Sequence, residues 1–137
     1  MSREKLARMN VSDLMKLGHR SHEFTLSNNE WRAVESAYQK LIATLNSGKK
    51  AYGIHTHYGH NVKTETNWEG FAEHQGELHA YLAVGVGPQL SPETVRRALR
   101  LQCLKVAEGR SGVHPQFLKS IVEVSNSPCE HQVPSYG

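Results

Sequence analysis

The sequence predicts a mainly α-helical fold. In several segments apolar residues recur at the three- and four-residue spacing of an amphipathic helix. Residues that favour helix N-termini stand directly before two of these segments. No two segments show the alternation of apolar and polar residues that would predict a pair of strands.

The first strong helix is expected to begin at Ser27 and to end near Gly48. Ser27 and Glu30 fit a capping box, in which each side chain accepts the exposed backbone N–H of the other residue. Leu26 and Trp31 fit the hydrophobic staple that surrounds such a cap. The apolar face then continues at helical spacing through Trp31, Val34, Tyr38, Leu41, Ile42 and Leu45.

The remaining segments are organised by proline and glycine. A second helix is expected after Thr66, and the Gly-Val-Gly-Pro run at 85–88 breaks it. Ser91 is the predicted N-cap of a third helix, with Pro92 at the first helical position and Gly109 closing the helix.

We treat residues 1–137 as a single domain with loosely ordered ends. Residues 1–25 form a weakly structured lead-in that contains a frayed helical candidate at 3–17. A last helix follows Pro115, and residues 126–137 are expected to form an extended tail.

Composition excludes several classes of protein. The formal net charge is +3, from sixteen basic and thirteen acidic residues that are well mixed. No apolar run approaches the roughly 20 residues that span a bilayer, and the N-terminal residues lack the apolar segment of a secretory signal. We therefore expect a cytoplasmic protein with no membrane partner. Cys103 lies on the apolar side of a helical pattern and is expected to be a buried free thiol.

Basic residues cluster on the third predicted helix and its end. The simplest interpretation is a solvated face, because nucleic-acid binding would require a denser stripe or interleaved exposed aromatics. We therefore predict no nucleic-acid partner. The residues concerned are Arg96, Arg97, Arg100, Lys105 and Arg110.

A loop between the first two helices carries the residues best suited to chemistry. It runs from Tyr52 to Gly59, with a further glycine at Gly53. Glycine permits backbone angles closed to other residues, so the loop can turn sharply and present the phenol of Tyr52. A phenol can move a proton if its surroundings favour the transfer.

Histidines are frequent, and three of them lie in or beside this loop: His55, His57 and His60. Histidine is the commonest metal ligand near neutral pH, so a histidine-loop metal binder is one hypothesis. No Cys, Asp or Glu joins them at a familiar spacing, and we predict no metal ligand in this chain.

Four motifs resemble those of the aromatic amino-acid ammonia-lyases and aminomutases, in the order of that family. The segment Tyr52 to Gly59 resembles Y-G-[IV]-x-T-G-F-G, and Gln75 to Gly85 resembles Q-x-[NE]-L-x-x-[SF]-[HL]-x-x-G. The segment from Val95 to Val113 is similar to V-R-x(n)-L-x-x-G-x-S-G-[VI]. The segment Asn126 to Gly137 is similar to N-x(5)-P-x-[IV]-P-x-x-G.

This resemblance implies the N-terminal helical segment of the ammonia-lyase architecture, which is like that of fumarase and aspartase. It implies that Tyr52 is the catalytic base at the substrate β-carbon. Gly59, Tyr81 and Leu82 are the implied substrate-binding residues, with Tyr81 and Leu82 facing the aromatic ring. Because Leu82 offers no hydrogen bond, an apolar ring is expected to fit better than imidazole or phenol.

The family electrophile is a methylidene-imidazolone formed by cyclisation of Ala-Ser-Gly, a triad absent from this sequence. The resemblance implies that the triad lies just beyond the position of Gly137, on a missing C-terminal portion or on a partner chain. The preferred hypothesis is therefore the N-terminal subunit of a split lyase or aminomutase. It would act on an aromatic amino acid within a hetero-oligomer and would be inactive alone.

The loop departs from the family motif at two positions. His57 and Tyr58 stand where the motif has Gly and Phe. A side chain at the first of these positions could restrict the backbone or narrow the pocket. Either residue could instead supply an additional acid or base beside Tyr52. These departures also support the alternative of a non-catalytic, lyase-like scaffold or regulatory partner.

Overall fold

The computed structural model describes residues 9–57, 59–63, 76 and 79–136. The mainly α-helical class is confirmed. The chain divides into two compact units, one of residues 1–41 with 89–133 and one of residues 42–88 with 134–137. The elements with full bounds are α1 (Val11–Leu17), α2 (Asn28–Asn46), a 3-10 helix (Gly59–Lys63), β1 (Val86–Gln89), α3 (Pro92–Ala107), α4 (Pro115–Asn126) and β2 (Pro134–Tyr136).

The predicted capping box at the start of α2 is confirmed. The Ser27 N–H donates to Oε2 of Glu30 at 2.7 Å, and the Glu30 N–H donates to Oγ of Ser27 at 3.4 Å. Glu30 is buried at this cap, where its negative charge also complements the positive end of the helix dipole. A second capping box, not predicted, joins Asn10 and Asp13 at the start of α1.

The start of α3 is also as predicted. Ser91 is its N-cap, with Oγ accepting the Thr94 N–H at 3.3 Å, and Pro92 occupies the first turn. His114 caps α4 in the same way, because its Nδ1 accepts the Gln116 N–H at 3.1 Å. The second predicted helix falls mostly outside the described residues, and its described part is helical at residue 76 and at 79–82.

The core of the first unit lies between α2, α3 and α4. Val34, Cys103 and Leu118, one from each helix, are fully buried. Leu26 and Trp31, the predicted staple residues, belong to the same apolar cluster. Among the described residues, no helix combines the length and apolar composition that crossing a bilayer requires.

The prediction of a solvated basic face is wrong for Arg96 and Arg100. Arg96 is 7% exposed and Arg100 is 1% exposed. Arg96 donates from Nη1 to the carbonyl of Gly18 at 2.9 Å. Both guanidinium groups therefore point into the protein, where they satisfy backbone carbonyls at the end of α1.

Arg100 joins two helix C-termini. Its Nη1 donates to the carbonyls of Leu17 at 2.9 Å and His19 at 3.2 Å, which lie at and just after the end of α1. Its Nη2 donates to the carbonyl of Ser125 at 3.3 Å and to Oδ1 of Asn126 at 3.0 Å, at the end of α4. Burial, reinforced by the nearby charge of Arg96, lowers the pKa of Arg100. The negative ends of the two helix dipoles offset part of the cost of burying this charge.

The expectation of no paired strands is wrong, because the structure contains one short strand pair among the described residues. β1 and β2 form a two-stranded sheet in the second unit. Gly87 in β1 has φ +95°, and a Cβ there would overlap the Tyr136 ring of β2. Neither strand shows an alternation of apolar and polar residues, because β1 reads Val-Gly-Pro-Gln and β2 reads Pro-Ser-Tyr. The two strands also lie far apart in the sequence, so no hairpin signal joins them.

Gly109 follows α3 at a close approach to α2. It has φ +70°, and a Cβ there would lie 2.9 Å from the Ala33 carbonyl oxygen. Gly109→Ala is expected to lower the free energy of unfolding by about 2 to 3 kcal/mol, because it adds a steric clash to left-handed strain. Gly48→Ala is the matched control, since Gly48 has φ +75° with nothing within 4 Å. It should cost only about 1 to 2 kcal/mol in the same urea titration, and equal losses would contradict the clash.

The prediction of a buried thiol at Cys103 is confirmed, and Cys129 is exposed. Burial raises the pKa of the Cys103 thiol to about 11. At pH 8 we expect a thiol reagent to label Cys129 rapidly and Cys103 only after denaturation, because the thiolate is the reactive form. Stoichiometric labelling followed by peptide mapping tests this, and fast labelling of Cys103 in the folded chain would contradict it.

Candidate functional site

The loop that begins at Ala51 is a compact turn in the second unit. The Ala51 carbonyl accepts the N–H groups of Ile54 at 3.2 Å and His55 at 3.0 Å. Gly53 has φ +71° and Gly59 has φ +56°, values that favour glycine. The two glycines of the motif therefore allow the backbone to reverse on either side of the segment between them.

Tyr52 is held at its hydroxyl by the far end of the same loop. The Gly59 N–H donates to Oη of Tyr52 at 3.1 Å. The Tyr52 residue is 64% exposed. An exposed tyrosine whose hydroxyl is held by a backbone donor is suited to exchanging a proton with a bound molecule, because the donor stays in place as the oxygen gains or loses charge.

Thr56 closes the middle of the loop, a role the sequence did not reveal. Its Oγ1 accepts the Gly53 N–H at 3.3 Å and lies 3.2 Å from the His57 carbonyl, to which it donates. Thr and Ser hydroxyls commonly bond nearby backbone groups in turns. The signal in the sequence that could have predicted this role is the Thr56 hydroxyl three residues after Gly53.

His57 fits the loop without backbone strain. No non-glycine residue in the described part of the chain has a positive φ. The side chain at this position therefore does not force left-handed strain, and His57 is half-buried. Tyr58, the other departure from the motif, lies outside the described residues.

Tyr81 and Leu82 lie in the described helical stretch 79–82, on the same unit as the loop. Tyr81 is 75% exposed and Leu82 is 68% exposed. Large apolar side chains that remain this open are unusual in a finished core. The structure thus brings Tyr52 and Gly59 into direct contact and leaves the two predicted ring-facing side chains on an open surface.

The loop histidines do not assemble a metal centre within the described residues. Across that part of the chain, no group of three His, Cys, Asp or Glu side chains is placed to hold a metal ion. Nδ1 of His55 already accepts the Ala51 N–H at 3.2 Å. His60 is exposed in the 3-10 helix.

A family model described as aromatic amino acid lyase matches residues 9–137. The chain belongs to the aromatic amino acid lyase family. The family resemblance of the four motifs is thereby confirmed.

Individual family members match most of the chain at modest identity. Histidine ammonia-lyase from Rattus norvegicus is 30% identical over 129 residues, covering 94% of this chain and 20% of the relative. Probable histidine ammonia-lyase from Thermoplasma acidophilum is 27% identical over 129 residues, covering 94% of this chain and 26% of the relative. The chain thus spans about a fifth to a quarter of the length of these relatives.

Solved structures share the fold. Ergothionase from Treponema denticola superposes with a TM-score of 0.85 at 23% identity, covering 94% of this chain and 26% of that one. Tyrosine aminomutase from Streptomyces globisporus superposes with a TM-score of 0.82 at 19% identity, covering 94% of this chain and 24% of that one. The chain therefore shares the fold of about a quarter of each of these structures.

Proposed function

We propose that this chain is the N-terminal part of an aromatic amino-acid lyase or aminomutase, supplying the Tyr52 loop to a shared active site. The Gly59 N–H to Tyr52 Oη hydrogen bond carries this proposal. It leaves a phenol that is both fixed and accessible in the loop whose motif the family shares. The remaining fold would come from a C-terminal lyase-like chain that carries Ala-Ser-Gly, giving a hetero-oligomer.

The substrate is proposed to be an aromatic amino acid. Oη of Tyr52, in its deprotonated form, would receive the β-proton, the C–H electrons would form the new double bond, and in a lyase ammonia would leave the α-carbon with the electrons of the C–N bond. In an aminomutase the amine would instead add to the β-carbon of that double bond, and a proton would return to the α-carbon. His57 and Tyr58 are proposed as additional acids or bases, and Gly59 as part of the substrate site.

Tyr81 and Leu82 are proposed to form part of the wall around the substrate ring. Their exposure supports this role, because apolar side chains that are open in this chain gain from being covered by a ring and a second polypeptide. The absence of a hydrogen-bonding group on Leu82 favours an apolar ring.

The methylidene-imidazolone group cannot form from the residues of this chain, because the sequence has no Ala-Ser-Gly. When bound in the complete enzyme, the group supplies the electrophile that makes the β-proton removable. This chain would supply groups that contact the substrate: the Tyr52 oxygen, its Gly59 donor, and the side chains of Tyr81 and Leu82.

The experiment is to purify the chain with its native partners and to identify every polypeptide by intact mass and peptide sequencing. We expect a second chain with an Ala-Ser-Gly segment that is lighter than its sequence by two water molecules, the loss that forms the methylidene-imidazolone. That complex should release ammonia from, or move the amine of, an aromatic amino acid. A complex with no such segment and no turnover would favour the alternative of a non-catalytic scaffold, which the His57 and Tyr58 departures support.

A further inference from the structure

His55 stands in the Tyr52 loop, and the role proposed for the chain does not use it. Its imidazole is half-buried, and Nδ1 accepts the Ala51 N–H at 3.2 Å. The His55 N–H in turn donates to the Ala51 carbonyl at 3.0 Å. Both backbone polar groups of Ala51 are therefore bonded to His55, once through the side chain and once through the backbone.

The two hydrogen bonds between Ala51 and His55 close a short backbone loop that contains Tyr52. Tyr52 directly follows Ala51, and its hydroxyl is held from the other side by the Gly59 N–H at 3.1 Å. The phenol is thus fixed at two points, with His55 securing the backbone end and Gly59 securing the oxygen. Losing either point would let the ring and its oxygen sample more positions.

The hydrogen bond also determines the state of the imidazole. To accept the Ala51 N–H, Nδ1 must carry no proton, so the ring is neutral with its proton on Nε2. Nδ1 is engaged by the Ala51 N–H and Nε2 carries the proton, so neither ring nitrogen offers a free lone pair to a metal ion. The described contacts of His55 therefore fit a positioning role better than a ligand role.

We propose that His55 is a positioning residue that orders the turn at Ala51 and so presents Tyr52 to substrate. This inference rests on the proposed function for its catalytic consequence. The hydrogen bond itself can be tested in the full chain without any activity. It predicts that an acceptor atom at the δ position, and not an imidazole as such, is what the loop requires.

The decisive variants are His55→Leu and His55→Asn. Leucine removes the acceptor, whereas Oδ1 of asparagine can accept at nearly the place of Nδ1. His60→Leu is the matched control, because it removes an exposed imidazole beside Gly59. Unchanged amide spectra for α3 in each variant would show that the first unit remains folded.

The first readout is NMR of the ¹⁵N-labelled full chain. We expect a coupling across the hydrogen bond between the Ala51 amide and an unprotonated His55 Nδ1. In His55→Leu, exchange of the Ala51 and Gly59 amides should be about fivefold to tenfold faster, while His55→Asn and His60→Leu stay near wild type. A protonated Nδ1, or unchanged exchange in His55→Leu, would overturn the proposal.

The second readout is kinetics of the assembled complex. His55→Leu is expected to lower kcat by about tenfold with little change in KM, and His55→Asn should restore most of kcat. Equal losses in the two variants would overturn the catalytic part of the inference. If the wild-type complex has no lyase or aminomutase activity but the NMR pattern holds, the proposed function fails and the ordering role of His55 stands.

Discussion

Tyr52→Phe is expected to lower kcat of the proposed lyase or aminomutase complex by about 10²- to 10⁴-fold, the usual contribution of a positioned proton-transfer group. Phenylalanine keeps the ring but removes Oη, the atom that accepts the Gly59 N–H at 3.1 Å. Assembly should survive, because the ring is preserved and the Gly59 amide lies in an exposed residue where water can replace the phenol oxygen. KM should change little, since the lost interaction acts on the reacting proton.

Tyr136→Phe is the control for this prediction. Tyr136 is 64% exposed, the same fraction as Tyr52, and lies in β2 of the same unit. The control should retain wild-type kcat. Steady-state rates of ammonia release or of amine transfer, together with native mass spectrometry of the complex, make the measurement. A Tyr52→Phe complex that assembles and turns over normally would remove Tyr52 from the mechanism.

Arg100→Met is expected to lower the free energy of unfolding by about 3 to 5 kcal/mol. Replacing a buried ion pair by apolar residues can be neutral, but here the partners are mainly backbone carbonyls that no substitution removes. Methionine fills much of the volume and leaves those acceptors without a donor. The guanidinium also lies 5.7 Å from the centre of the Phe24 ring, a contact that is lost as well.

The network around Arg100 extends beyond its own hydrogen bonds. Asn126 bonds Arg100 through Oδ1 and also pairs with the backbone of Phe24, accepting its N–H at 2.9 Å and donating to its carbonyl at 2.8 Å. Loss of Arg100 therefore loosens the segment before α2 as well as the ends of α1 and α4.

Urea denaturation followed by circular dichroism measures this effect. Lys105→Met, an exposed position on the same helix, is the control and should change stability by less than about 0.5 kcal/mol. Arg100→Lys should also lower the free energy of unfolding. The planar guanidinium reaches its acceptors from two nitrogens, and a single ammonium cannot reach all of them. A midpoint within error of wild type for Arg100→Met would show that water replaces the lost donors.

Local signals in the sequence predicted the helix starts well. The capping box of Ser27 and Glu30, and the N-cap Ser91 followed by Pro92, are confirmed because each involves groups only a few residues apart. The order of four motifs predicted the family for a similar reason. Each motif is a contiguous string, and its identity does not depend on how the chain packs.

Burial was the weaker prediction. The sequence predicted a solvated face for Arg96 and Arg100, because helical periodicity alone places arginine on the side of the helix that faces solvent. Their partners come from α1 and α4, far away in sequence, and no local pattern indicates that carbonyls from two helix ends converge there. The pairing of β1 with β2 was missed for the same reason.

The candidate site also combines features that the sequence predicts with features that only the folded structure shows. The sequence by itself determined the family, the helical class and the choice of Tyr52 with its flanking glycines, because these depend on residue type and short-range order. Only the tertiary structure decided that Gly59 donates to the Tyr52 oxygen, that His55 binds Ala51, and that His57 needs no left-handed backbone. Those facts depend on φ angles and interatomic distances, which become fixed only when the chain has folded into one particular turn.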